Sequence, residues 1–175
     1  LIDRDGKLWA ACWGLWGGGV IAVSEDGGKS WTRRDAGLED FSPRALALDP
    51  ADAGHAIVGG LTGIHQTFDA GVTWTKISSQ ENVESLAIDP RSPKRIYAGT
   101  WRQLFRTNDG GKTWELASKG MVLDTDVFTI VIDPKESVRQ AALSMATHRI
   151  GCLPVIDDRG ALVGLVTETD LLRHM

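Results

Sequence analysis

Short apolar stretches separated by turns rich in Gly, Asp and Ser fill residues 1–134. In the middle of that region they fall at 55–61, 63–68, 73–77 and 83–88, each rich in β-branched and aromatic residues, which predicts four strands. The apolar strings at 8–11, 57–60 and 96–99, and those at 45–50, 85–90 and 129–134 that end in Asp-Pro, repeat the arrangement. Successive copies lie about 40 residues apart, the length of one four-stranded propeller blade. Each copy reads as strand, turn, strand, Asp-containing turn, strand, loop, strand, and leaves little room for helix.

The Asp-containing turns are near-copies of each other. Segments 24–31, 67–74 and 107–114 share the pattern [ST]-x-D-x-G-x-[ST]-W, with Asp26, Gly28 and Trp31, then Asp69, Gly71 and Trp74, then Asp109, Gly111 and Trp114 at its fixed positions. A carboxylate there can accept bonds from the N–H groups of its own turn, and the Gly two positions on supplies a positive φ. The Trp then caps the turn and packs inward. These turns resemble the Asp-box, or BNR, repeat of sialidases, sortilin-type receptors, xyloglucan-degrading glycosidases and photosystem II assembly factors. The resemblance implies a β-propeller with the box as a structural turn at the blade periphery, and does not by itself imply hydrolysis. Ala70 stands where the other two copies have Gly, so that position tolerates a side chain.

After Pro134 the period changes. Val138, Ala141, Ala142, Met145 and Ala146 form an i, i+3, i+4, i+7, i+8 stripe, which predicts an amphipathic helix over 137–148. Strands at 152–156 and 161–167 follow around an Asp157-Asp158-Arg159-Gly160 turn, and a second helix starts with Thr167 at its cap. All seven Trp precede this segment. The fold expected is therefore mainly β with a small α/β C-terminal unit: three four-stranded blades over 1–134, and a helix-strand-strand-helix unit over 135–175. Residues 136–145, 148–158 and 164–172 resemble a cystathionine-β-synthase-type (CBS) motif. In that family two motifs pack together and bind adenosine nucleotides such as AMP or ATP as regulators. The resemblance implies that Thr167 bonds phosphate, that Asp170 holds the ribose hydroxyls, and that Gly151, Cys152 and Pro154 line the base. Thr167 at a helix N-terminus lies where an anion is favoured. Plain structural roles fit the same residues: Thr167 as N-cap, Asp170 opposing the helix dipole, Pro154 as strand-edge geometry, Cys152 as a small buried side chain.

Both units fall short of their families' usual complement. Three blades leave two open sheet edges that invite a protein partner, since propellers close with typically four to eight. A single CBS motif supplies one wall of a cleft and implies a homodimer. Segment 127–134 fits both the last strand of the third blade and the first strand of a CBS motif, which suggests a fusion or fragment joined within it.

Charge and chemistry narrow the function. The formal net charge is −4, with 14 basic and 17 acidic residues before Val127 and 5 and 6 from there on, so no part of the chain is a basic patch for nucleic acid. The uncharged run 8–23 is short for a membrane span and carries four Gly; it reads as the inner strands of the first blade. Cys12 and Cys152 read as unpaired thiols, which favours a reducing, cytoplasmic setting. His55, His65, His148 and His174 are scattered without metal-ligand spacing, so no metal is expected. The expectation is a non-catalytic binding or scaffold protein that carries a nucleotide-sensing motif and needs no catalytic cofactor. Two alternatives stand beside it: a fragment of a sialidase- or xyloglucanase-like glycoside hydrolase, or a chimeric fragment without a function of its own. The sole Tyr, Tyr97, lies in an apolar run and reads as core; Asp124 and Asp126 read as loop carboxylates.

Overall fold

Buried and half-exposed positions alternate along β4 (Pro43–Leu48), as they do in a strand with one covered face. Every position of β5 (Ala56–Gly60) and β9 (Ile96–Thr100) is buried, so these strands are covered on both faces. The computed structural model describes residues 1–13, 19–38, 42–118 and 127, and the backbone of 152–156 and 162–167.

Over these residues the chain is all β. The first sheet holds β1 (Leu8–Cys12), β2 (Val20–Ser24) and β3 (Thr32–Arg33) in chain order. The second holds β4, β5, β6 (Gly63–Thr67) and β7 (Thr75–Ser78). The third holds β8 (Val83–Ile88), β9, β10 (Leu104–Thr107) and β11 (Glu115–Leu116). All neighbours are antiparallel. Within the uncharged run 8–23, the described residues form β1 and most of β2, strands of the first sheet as expected.

The sheets stack in chain order. Trp9, Ile21 and Val23 of the first meet Ala56, Val58 and Trp74 of the second. Ala45, Ala47, Ile57 and Ile64 of the second meet Val83, Ile88, Ile96 and Ala98 of the third. Tyr97, Leu104 and Val127 form a smaller cluster at the third sheet.

The four-stranded unit differs in phase from the sequence expectation. Segment 83–88, expected as the fourth strand of the second repeat, instead pairs with Ile96–Thr100 and opens the third sheet. The reason lies at Gly59, where a Cβ would collide with Val83: the missing side chain lets Val83 lie across the face of the second sheet. Leu1 to Asp3 stand in for the corresponding strand of the first sheet. Leu1 and Trp9 exchange backbone hydrogen bonds of 2.9 and 2.8 Å, and Ile2 bridges Leu8.

Of the segment 127–132, expected to pair with the third sheet, Val127 alone is described, and the described strands of that sheet number four. Val127 still lies against it: its N–H donates to the Thr100 carbonyl at 3.0 Å, and Ser85 Oγ donates to its carbonyl at 2.5 Å. A Cβ on Gly99 would sit 2.6 Å from Val127 Cγ1, so Val127 covers Gly99 as Val83 covers Gly59.

In the C-terminal unit β12 (Cys152–Ile156) and β13 (Leu162–Thr167) form an antiparallel hairpin. The expected helices at 137–148 and after Thr167 lie outside the described residues.

Candidate functional site

The polar positions and the Gly of the repeated turn are hydrogen-bonded alike in all three copies. The Ser or Thr two residues before each Asp donates to its Oδ1 at 2.8, 2.7 and 2.7 Å (Ser24, Thr67, Thr107). The same hydroxyl accepts from the N–H of Gly28, Gly71 and Gly111 at 2.8, 2.9 and 3.0 Å. The residue four after each Asp (Ser30, Thr73, Thr113) donates its N–H to Oδ1 at 2.9, 2.8 and 2.9 Å, and its hydroxyl to Oδ2 at 2.6 Å each time. These bonds favour the charged carboxylate. The Ser30 hydroxyl first, then its N–H, hold Asp26 at about 2; Thr73 does the same for Asp69 at about 2; and Thr113 holds Asp109 well below the usual range. Two consecutive positive φ angles shape each turn, and Ala70 adopts φ 56° where the other copies have Gly27 and Gly110 at 73° and 75°. A Cβ on either Gly would meet nothing within 4 Å, so Ala70 costs conformation and no space.

The Trp of the turn joins one sheet to the previous one. Trp74 Nε1–H donates to the Arg34 carbonyl at 2.7 Å, and Trp114 Nε1–H to that of Ile77 at 3.3 Å. Trp74 is buried and Trp114 half-buried. Trp31, expected to be buried like them, is 46% exposed. It belongs to the first sheet, and no described residue stands where Arg34 and Ile77 stand for the other two.

A second Asp series carried no assigned role in the sequence reading. Asp3, Asp49 and Asp89, 7%, 3% and 0% exposed, end the first strand position of the three sheets. Each Oδ1 accepts N–H bonds from the turn that follows. Each Oδ2 binds a side chain six residues on: Trp9 Nε1 at 3.0 Å, His55 Nδ1 at 2.8 Å, Arg95 Nη1 at 3.0 Å. The repeated Asp with a fixed offset to a polar donor was the available signal. His55 also stacks on Phe68 with ring centroids 4.5 Å apart.

The corner after the inner hairpin strand carries an exposed apolar residue in all three sheets: Trp13, Leu61 and Trp101, 59%, 36% and 45% exposed. Arg44 lies between the two Trp, its guanidinium 5.8 and 5.7 Å from their ring centroids, within cation–π range. Arg44 also pairs with Glu84, which accepts from Trp101 Nε1 at 2.6 Å. Arg44 and Glu84 are each the extra residue of a β-bulge, which re-aims a side chain. A groove of about 440 Å³ opens beside Trp101, between Gln80, Asn82 and Gln103. This composite surface comes from three sheets, and single-strand patterns do not reveal it.

Of the residues expected to contact nucleotide, Cys152 and Thr167 are direct register partners across the hairpin, with Pro154 two positions inward. Gly151 and Asp170 lie outside the described residues, as do Asp124, Asp126, His148 and His174. Tyr97 is fully buried and its hydroxyl pKa is raised, chiefly by burial, with Arg106 pulling the other way. Cys12 is a free, exposed thiol. Among the described residues no group of His, Cys, Asp and Glu could hold a metal, and no helix is long and apolar enough to cross a membrane.

Comparison with known families assigns both units. Residues 105–116 match the BNR/Asp-box repeat and residues 120–175 the CBS domain. The chain joins Asp-box repeats to a CBS domain. The CBS match begins at 120 and so includes 127–134. The repeat region has the fold of known propellers. A GH74 xyloglucanase from Xanthomonas campestris superposes with TM-score 0.55 at 21% identity, over 69% of this chain and 22% of that one. The structure titled YCF48 bound to D1 peptide gives TM-score 0.53 at 17% identity, over 66% of this chain and 40% of that one. Over 54 residues the chain is 43% identical to a homoserine O-acetyltransferase of Methanohalophilus mahii, covering 31% of this chain and 11% of that protein. The chain thus spans between 11% and 40% of the length of each of these proteins.

Proposed function

We propose that this chain is a non-catalytic binding scaffold whose Asp-box sheets present a docking surface and whose CBS domain senses an adenosine nucleotide. The observation that carries the first half is the exposed Trp13–Arg44–Trp101 face. An arginine held between two half-exposed indoles, its charge balanced by Glu84, offers flat apolar area with polar groups at its edge, a composition enriched at binding surfaces. The YCF48 structure with this fold holds a peptide, which supports a protein partner. Burial and the raised pKa of Tyr97 are the opposite of what an activated nucleophile needs, which supports a non-enzymatic reading.

The nucleotide half rests on the CBS match and on the Cys152–Thr167 pairing, which brings two of the five expected contact positions side by side. A second copy supplies the other wall of the cleft. Calorimetry with AMP and ATP at several protein concentrations tests this: binding should strengthen as the chain associates. Undetectable binding at millimolar nucleotide in an associated sample overturns the sensor. Turnover of a xyloglucan or sialoside overturns the non-catalytic reading.

A further inference from the structure

Trp13 and Trp101, exposed corners of the first and third sheets, are related through the residues between them. Trp101 Nε1–H donates to Glu84 at 2.6 Å, and the same carboxylate pairs with Arg44. With its N–H engaged, Trp101 offers the flat apolar part of its ring, already oriented, which spares a partner the ordering entropy. The Arg44 guanidinium lies 5.8 Å from the Trp13 ring centre and 5.7 Å from that of Trp101, so the two indoles lie within about 12 Å of each other; residues three apart in a polyproline II segment meet that spacing at about 9 Å. The side chains of Arg44 and Glu84, 24% and 11% exposed, are far more covered than the indoles and form a floor between them.

The groove of about 440 Å³ continues from Trp101. One wall is the connection from β7 to β8, the other the corner from β9 into β10, and both are described residues. Thr100 fixes that corner: its hydroxyl donates to the Gln103 carbonyl at 3.0 Å and accepts the Gln103 N–H at 3.1 Å. Neutral amides of Gln80, Asn82 and Gln103 supply much of the polar lining. Asn82 holds φ 55°, where Gly fits with less strain, and brings its amide there nonetheless. The charges balance, since Arg44 is paired with Glu84 and the other charged lining residues, Glu81 and Arg102, are opposite in sign.

Such a surface selects an uncharged ligand with flat apolar faces and many acceptors. The amide NH2 groups are donors, whereas the carboxylate nearest the indoles, Glu84, is already bonded twice. A proline-rich segment matches: its rings lie flat on indoles, its proline nitrogens carry no N–H in need of an acceptor, and its carbonyls are free because polyproline II has no internal hydrogen bonds. A helix has spent its carbonyls on itself, and a saccharide hydroxyl brings a donor with every acceptor. We propose that the Trp13–Trp101 face and the adjoining groove bind an uncharged proline-rich segment of a partner protein, with a proline ring on each indole and peptide carbonyls on the amides of Gln80, Asn82 and Gln103. This rests on the reading of that face as a docking surface and names what docks there.

Titration of the full chain with a capped, uncharged peptide of Pro-Pro-Leu repeats, followed by indole fluorescence and calorimetry, tests this beside a Gly-Ser peptide of equal length and a xyloglucan oligosaccharide. The proline peptide should bind saturably, and Trp13→Ala and Trp101→Ala should each weaken it about tenfold or more, as for loss of an aromatic anchor. Both side chains are exposed, so both variants should fold, and circular dichroism verifies it. Raising the salt from about 0.05 M to about 0.5 M should change the affinity by less than about twofold, because the charges of the face are balanced. No binding at millimolar proline peptide, equal affinity for the Gly-Ser peptide, indifference to both substitutions or a strong loss with salt overturns the proposal. Binding of the oligosaccharide in place of the peptide overturns it too and assigns the groove to a sugar. These results leave the scaffold reading standing; that reading falls if the oligosaccharide is cleaved.

Discussion

Asp26, Asp69 and Asp109 turn a loop sequence into a fixed corner because each carboxylate gathers donors from two sides of its turn. Their lowered pKa values give a signed prediction. The folded value is depressed below the ordinary 3.8, so the charged carboxylate stabilises the fold fully above that value. The contribution is lost as pH falls through the folded value near 2. Melting temperature should therefore drop between about pH 4 and pH 2, and replacing all three Asp by Asn should lower it at pH 7 while flattening that slope. Asp89 belongs to the buried series. Asp89→Ala removes the buried acceptor of the Arg91 N–H and of Arg95 Nη1, and chemical denaturation should show a loss of about 1–3 kcal/mol. The box was legible residue by residue, since its bonds run between neighbours at offsets of two and four. The role of Asp3, Asp49 and Asp89 was harder to read, because the donors six residues away are a Trp, a His and an Arg, with no shared letter to mark them.

At the scale of the element, strand positions were legible and sheet membership was not. The runs 83–88 and 129–134 follow each box and look like the end of a repeat; pairing places 83–88 at the start of the next sheet. What decides is the empty face of Gly59, a three-dimensional fact that a strand pattern does not contain. Gly99 is the matching position under Val127. Gly99→Ala should destabilise by about 1–3 kcal/mol in urea unfolding, because the added methyl meets Val127 and Ser85 with no open side to yield. The burial of the box Trp was expected to be uniform, and it follows the presence of a preceding sheet instead. Trp74→Ala should cost about 3–5 kcal/mol by the same measurement, as for other buried aromatics. Trp31→Ala should cost the isolated chain far less. Equal losses would mean that Trp31 is buried in solution.

At the scale of the whole molecule, two units with different periods share one chain. The composition break after the last Trp showed the change of unit, yet the CBS match reaches back to 120, past the strand-Asp-Pro string that both families use. The overlap is physical: an apolar strand ending in Asp-Pro suits the start of a propeller sheet and of a CBS motif alike, so local pattern cannot divide it. Val127, the one described residue of the string, packs on the third sheet through Thr100 and Ser85, which ties the start of the CBS segment to the repeat region. If the nucleotide site works as proposed, Asp170→Ala should weaken AMP binding by about 1.5–3 kcal/mol, the cost of losing charged hydrogen bonds to ribose hydroxyls. Thr167→Val, which keeps the shape and removes the hydroxyl, should weaken it less, since phosphate retains the backbone donors of a helix N-terminus. Isothermal titration of both variants, with thermal melts to verify folding, separates ligand contact from helix capping. Capping alone predicts lower melting temperatures with the affinity of the folded protein unchanged, whereas contact predicts the affinity loss in full even where the melt is unaltered.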